Sequence, residues 1–439
     1  MEIKSELPGT MPPKIGLWRA TSLVAGNMIA SGIFMLPVAL AGYGSISILG
    51  WIVSGVGAWV LALVFSKLSM MLPGAEGGPY AYTREGLGEF AGFLVAWGYW
   101  ISIWATNAAI SLAFVSYLSV FIPALNESGP LSLLVANGAV WFLTWVNTRG
   151  IRVAGGVQLI TTIMKLIPLF ALALAGLFYL DFSHFTVWNS SQVSFGSALT
   201  STATLTLFAF LGLECATIPA GSIEHPERTV PRATLFGTGI VGAVYILSTV
   251  SLMGLLTPEE LGQSTSPFAD GAARIGGEWA RYVVAAGALI STFGALNGWI
   301  LIQGQMPMAA AADRLFPAVF SRRNRFGAPA GGIVLSSTLI SALLAMKFTS
   351  SLAEMFESVI LFATAAVLVA YLLSTASLMV LTSKIKEKGA ERKYVVLGLI
   401  GFFYSIWAFA GAGSEAVFWG MLTLFAGVPL YAFRRRAQA

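Results

Sequence analysis

Charge is scarce in this 439-residue sequence: 10% of the residues are Asp, Glu, Lys or Arg, against 56% hydrophobic. Soluble domains carry about 25% charged residues, so the composition excludes an ordinary soluble protein and indicates a polytopic membrane protein. Cysteine occurs once, as Cys215, which excludes an internal disulfide and a cysteine-based metal cluster. The two histidines, His184 and His225, fall in loops and form no ligand pair, so no metal and no cofactor are expected. A membrane enzyme needs clustered histidines and carboxylates, or a nucleophile beside a base, on facing spans. A channel more often carries charged rings or a repeated filter motif. Neither pattern is present. The opening MEIKSELPGTMPPKIGLWR is too polar and proline-rich for a cleavable signal peptide and reads as a cytoplasmic tail over 1–16. The net charge of +5 gives no argument for nucleic acid, because basic residues at membrane edges have another explanation.

What the sequence does have is long apolar runs. Windows of about 20 residues, the length that crosses the hydrocarbon core, predict twelve spans: 17–41, 46–71, 89–122, 131–148, 153–180, 196–222, 232–256, 278–312, 329–348, 353–383, 394–411 and 416–434. The runs 89–122 and 278–312 exceed a perpendicular crossing and are expected to tilt or to extend beyond the membrane. With the N-terminus inside, 21 of the 25 Lys and Arg fall on the cytoplasmic side, the bias that sets membrane orientation. Only Arg274, Arg281 and Lys347 fall outside. Both termini are therefore expected in the cytoplasm. The expected organisation is a core over 17–383, a cytoplasmic loop over 384–393, and two final spans with a cytoplasmic tail over 394–439.

The remaining basic residue, Lys165, lies near the centre of the fifth span. An intramembrane charge costs at least about 2.5–3.5 kcal/mol on insertion scales and is functional by default. Glu214, in the sixth span, falls under the same rule; the alternative for each is an ion that pairs inside the bundle to fix packing. The first span carries GNMIASGIF at residues 26–34, with Gly26, Asn27, Ser31 and Gly32 in an otherwise apolar run. Glycine costs about 1 kcal/mol relative to alanine inside a helix, and asparagine and serine compete for backbone hydrogen bonds. The sixth span has a counterpart in FAFLGLECA at 208–216, followed by Pro219. Either interruption alone reads as a kink or a glycine packing seam. Two interruptions in corresponding positions, five spans apart, point to a transporter binding site between two inverted five-span repeats.

GNMIASGIFMLP, GGPYAYTREGLG, GYWISIWATN, FAFLGLECA, EHPERTVPRA, GALNGW, AAADRLFP and YSIWAFAGAGSEA occur in that order along nearly the whole chain. On these motifs the chain resembles the amino acid–polyamine–organocation transporter superfamily. It is most similar there to the basic amino acid/polyamine antiporters, which include arginine/agmatine and putrescine/ornithine exchangers. The resemblance implies an all-α membrane protein of twelve helices in a LeuT-like five-plus-five inverted repeat, with helices 1 and 6 broken at mid-membrane. It implies a substrate site in which Ile29, Ala30, Ser31 and Gly32 meet a carboxylate, and carbonyls near Asn27 and from Phe208 to Leu211 meet an ammonium. Helix-end partial charges supply the physics of both contacts. By the same resemblance Phe208 is the aromatic gate, Glu214 a coupling acid and Tyr80 a loop tyrosine of the gate. Tyr99, Trp100, Asn107 and Trp299 are the matching positions of the third and eighth spans.

Two positions depart from the pattern. Ala30 replaces the first glycine of the usual Gly-Ser-Gly. Lys165 matches no residue of the cationic exchangers; it resembles the lysine of proton-coupled permeases and neutral amino acid exchangers, whose ammonium takes the place of a sodium ion. A fixed positive charge there opposes a dication. The function expected is a secondary active amino acid transporter working by alternating access, as an exchanger or a proton-coupled permease. The alternatives are a cationic amino acid/polyamine antiporter and a non-transporting membrane sensor or scaffold. The lipid bilayer and a small amino acid or polyamine are the expected partners, and family resemblance adds a homodimer in a bacterial inner membrane.

Overall fold

The computed structural model describes residues 15–73, 75, 77–149, 169–218, 223–346, 351–383 and 388–438. All the long elements are helices. The first expected span is divided into Leu17–Met28 (α1) and Ser31–Ala41 (α2), and Ile46–Met71 (α3) follows. Pro79–Leu87 (α4) lies between α3 and the long Glu89–Leu118 (α5). Ala124–Glu127 (α6), Gly129–Thr148 (α7) and the short apolar Leu169–Tyr179 (α8) complete the first half. The second half begins with Phe195–Leu207 (α9), which gives way to irregular turns, and continues with Pro226–Leu255 (α10). Pro258–Gln263 (α11) and Pro267–Gly276 (α12) connect to Glu278–Ala312 (α13). Then come Ala330–Met346 (α14), Leu352–Thr382 (α15), Lys388–Gly411 (α16), Ser414–Phe425 (α17) and Val428–Gln438 (α18).

Local chemistry explains several boundaries. Proline occupies the first turn of α4, α10, α11 and α12, where its missing N–H is no loss. The expected seventh span therefore starts earlier than residue 232, at Pro226. Ser351 and Glu354 cap each other's backbone at the start of α15, and Thr257 and Glu260 do the same for α11. The Thr257 N–H, followed by nearby Arg274, holds the Glu260 carboxyl below the usual range. The last expected span is interrupted: Trp97 Nε1 donates to the Thr423 carbonyl at 2.9 Å, and the helix stops at Phe425 before resuming at Val428.

Among the described residues, ten helical segments are long and apolar enough to cross a membrane, and α8 and α14 are shorter apolar helices. Most of the fifth expected span, with Lys165, lies outside the described residues. Burial orders the helices. In the most apolar stretch of α5, 89% of residues are buried, against 22% in the last two segments. α5 thus forms the axis, packed against α13 and α15, while α3 packs on α9 and α10. α16 and α17 lie at the periphery, with Ile400, Phe403 and Phe418 turned outward, as a lipid-facing surface requires.

Candidate functional site

Regular helix gives way at two places, after Met28 and after Leu207. α1 ends at Met28, with the Ile29 N–H on the Ala25 carbonyl at 2.9 Å and the Ala30 N–H on the Met28 carbonyl at 2.9 Å. α2 restarts at Ser31 with no side chain capping its first amides. The N–H groups of Ser31, Gly32 and Ile33 have no acceptor within their own helix, and they carry the positive end of its dipole. Asn27, Ile29, Ala30, Ser31 and Gly32 are all buried, and Ser31 Oγ has no partner among the described residues.

The second interruption follows α9. Phe208–Phe210 forms one turn of 3-10 helix, Leu211 turns extended, and Cys215–Thr217 forms another short turn. Gly212 sits at φ +101°, a conformation that only glycine adopts without strain. Glu214 lies in this turn, wholly buried. Its Oε1 accepts from the Tyr99 hydroxyl of α5 at 2.6 Å, and its Oε2 from the Tyr371 hydroxyl of α15 at 2.7 Å. Two phenols from two other helices therefore hold the acid.

The two interruptions touch. A Cβ on Gly32 would stand 2.9 Å from the Cβ of Ala209, so the missing side chain is what lets the start of α2 rest on the second break. Tyr245, from α10, donates its hydroxyl to the Met28 carbonyl at 2.6 Å, with the Ala209 carbonyl at 3.1 Å. One phenol thus reaches a carbonyl from each break, the Met28 carbonyl also accepting from the Ala30 N–H. Trp299, from α13, donates Nε1 to the Asn27 carbonyl at 3.2 Å, and its ring lies over Gly212.

The residues singled out by sequence separate into those at the breaks and those beside them. Phe208 is buried with its ring edge-on to Phe356, the centroids 6.1 Å apart, and Leu211 is buried next to it. Asn107 faces α13 and donates to Gln303 at 2.7 Å. Trp100 turns away from the breaks and donates to Ser336 of α14 at 2.9 Å. Tyr80 stands apart: its hydroxyl donates to Asp313, at the end of α13, at 3.0 Å, and Arg84 lies 3.7 Å from the same carboxylate. Lys165 lies outside the described residues. Several carbonyls expected to receive an ammonium already accept bonds, Phe208 from the Leu211 N–H and Asn27 from Trp299. Each carbonyl keeps a second lone pair. A cleft of about 690 Å³ lies elsewhere, between α14, α15 and α17, and includes no residue of either break.

Tyr245, Tyr371 and Gln303 have no local signature. Each sits in an ordinary apolar helix, and its partner belongs to a distant part of the chain.

A family profile for amino acid permeases matches residues 15–431. The cadaverine/lysine antiporter of Escherichia coli is 37% identical over 332 residues, 75% of this chain and 74% of the relative. The putrescine transporter PotE of Haemophilus influenzae is 34% identical over 425 residues, 96% of this chain and 97% of the relative. PotE of Escherichia coli is 32% identical over 421 residues, 95% of each.

If one phenol supports both breaks, its removal is felt in stability. Tyr245→Phe is expected to destabilise the purified protein by about 1–3 kcal/mol, the usual consequence of leaving a buried acceptor unpaired, here the Ala209 carbonyl, since the Met28 carbonyl keeps the Ala30 N–H. Thermal unfolding in detergent measures this, and an unchanged melting temperature would contradict the bridging role.

Proposed function

The chain belongs to the amino acid permease family as a multi-pass secondary transporter of amino acids or polyamines, and we propose that it exchanges a basic amino acid for a polyamine by alternating access. The observation that carries this reading is the meeting of two broken helices around a buried acid. The uncapped amides of α2 suit a substrate carboxylate. The carbonyl ends of α1 and of the second break suit an ammonium, and Phe208 and Trp299 add aromatic faces worth about 0.5–2 kcal/mol each to a cation. Relatives named for lysine, cadaverine and putrescine favour a basic substrate. Our proposal includes twelve spans in two inverted five-span repeats, both termini cytoplasmic in a bacterial inner membrane, and a homodimer. The recurrence of a break five spans after the first, and the 21 cytoplasmic Lys and Arg, support the first two of these points.

A second reading, proton-coupled uptake of a neutral amino acid, is favoured by Lys165 alone. A cation at that depth opposes a dicationic polyamine and substitutes for a sodium ion. Uptake of labelled lysine into proteoliposomes, with and without internal putrescine and with and without a pH gradient, separates the two. Exchange driven by putrescine supports the first; net uptake of neutral amino acids driven by protons supports the second.

Three variants sharpen the test. Gly32→Leu places a side chain where Ala209 already stands, so lysine binding is expected to vanish while the protein still inserts; wild-type affinity in the folded variant would remove the site from the breaks. Glu214→Gln is expected to slow exchange by about 10-fold or more while changing binding far less, the pattern of a group that acts on switching. A wild-type rate and pH profile would return Glu214 to packing. Lys165→Ala is expected to impair transport per folded molecule. A loss of thermal stability alone, with normal net uptake and exchange, would make the lysine structural.

A further inference from the structure

The loop between α13 and α14 is pinned to the end of α7, and the pin gathers arginines. Asn324 Nδ2 donates to the Thr148 carbonyl at 2.7 Å, and its Oδ1 accepts from the N–H groups of Phe326 and Ala328, each at 3.0 Å. Gly327 takes φ +77° in this turn, a conformation that suits glycine. Phe326 is thereby carried to the end of α7, where its ring meets two cations. The Arg149 guanidinium lies 5.3 Å from the ring centre and that of Arg325 lies 4.8 Å from it. Arg149 also lies 4.9 Å from the ring of Trp145, one turn back along α7. Arg322 and Arg323, both exposed, stand on the same loop. Among the described residues none of these four arginines has a carboxylate within ion-pair distance. The aromatic contacts hold guanidinium groups without neutralising them, and the N–H donors of arginine match the oxygens of a phosphate.

Next to this cluster the surface is apolar. Trp141, Phe142 and Trp145 stand exposed on one face of α7, and Val334 and Leu335 stand exposed on α14. Trp141 Nε1 donates to Ser341 Oγ of α14 at 3.1 Å, which joins the two helices along that face. A ligand that uses the whole surface carries an anion at one end and hydrocarbon at the other. We propose that Arg149, Arg322, Arg323 and Arg325 hold the headgroup of an anionic phospholipid whose chains lie along α7 and α14. Basic residues also gather at one membrane edge for orientation alone. Orientation needs only charge; it needs neither a loop fastened to the next helix nor rings that fix where the guanidinium groups stand. On the orientation proposed above, the lipid belongs to the cytoplasmic leaflet. The lipid site requires no particular substrate or coupling ion, so it stands or falls apart from the transport reading.

Lipid retention by the purified full chain in detergent, read by native mass spectrometry, tests this. Phosphatidylglycerol and phosphatidylcholine with identical chains are titrated in parallel. Wild type is expected to retain phosphatidylglycerol at about 10-fold lower lipid concentration than phosphatidylcholine. Arg149→Gln combined with Arg325→Gln is expected to raise the phosphatidylglycerol concentration needed by about 10-fold and to leave phosphatidylcholine where it was. Arg228→Gln combined with Arg232→Gln removes two exposed arginines near the start of α10. It matches the change in net charge and is expected to leave retention unaltered. Equal retention of the two lipids by wild type overturns the assignment, as does undiminished retention in the first double variant or an equal loss in the second. Displacement of phosphatidylglycerol by an equal concentration of inorganic phosphate would make the occupant a soluble anion and overturn it too.

Discussion

A helix that stops inside an apolar bundle frees backbone groups that water cannot reach. The structure depends on finding partners for them. In hydrocarbon an unsatisfied peptide group costs several kcal/mol, so a break survives only where side chains from neighbouring helices supply the missing bonds. Tyr245 does so for Met28 and Ala209, and Trp299 for Asn27. The remaining amides, at the start of α2, face no capping side chain. Carbonyl ends are covered by protein while an amide end is left uncapped, an asymmetry that suits an anionic group arriving from outside.

The same bonds join helices that are distant in sequence. Glu214 lies on the second break, yet its carboxylate is gripped from α5 and α15. Tyr245 adds α10 to both breaks. On the proposed reading, a substrate that brings its own carboxylate and ammonium competes with these contacts, and can shift the balance between conformations by as much as it binds one better than the other. The contacts near Asp313, where Tyr80 and Arg84 converge, are of another kind: Tyr80 is buried, but the Arg84–Asp313 pair is partly exposed. Exposed ion pairs of this sort contribute little to stability.

Sequence revealed the long apolar helices because their signals are local. Long apolar runs and the Ser31–Gly32 pair announce themselves without reference to the rest of the chain. Glu214 is legible because an acid in an apolar run is anomalous. Tyr245 and Tyr371 are not, since a tyrosine in a membrane helix is unremarkable until the carbonyl or carboxylate opposite it is known. Gln303 is hidden for the same reason: its orientation is dictated by the Ile333 carbonyl, 30 residues away in sequence. Trp100 carries the opposite lesson, a motif residue that turns away to Ser336. The interrupted last span has a local signal that went unread, Gly427 and Pro429, and Trp97 from another helix takes the Thr423 carbonyl there.

The central claim is that the two touching breaks, and not the cleft between α14, α15 and α17, hold the substrate. A structure of the full chain in lipid, saturated with lysine, tests it directly. The expected result is ligand density between residues 29–32 and 208–212, with the carboxylate on the amides of Ser31 and Gly32. Lysine bound in the cleft beside Trp104 and Glu357, with the breaks unaltered, would contradict it.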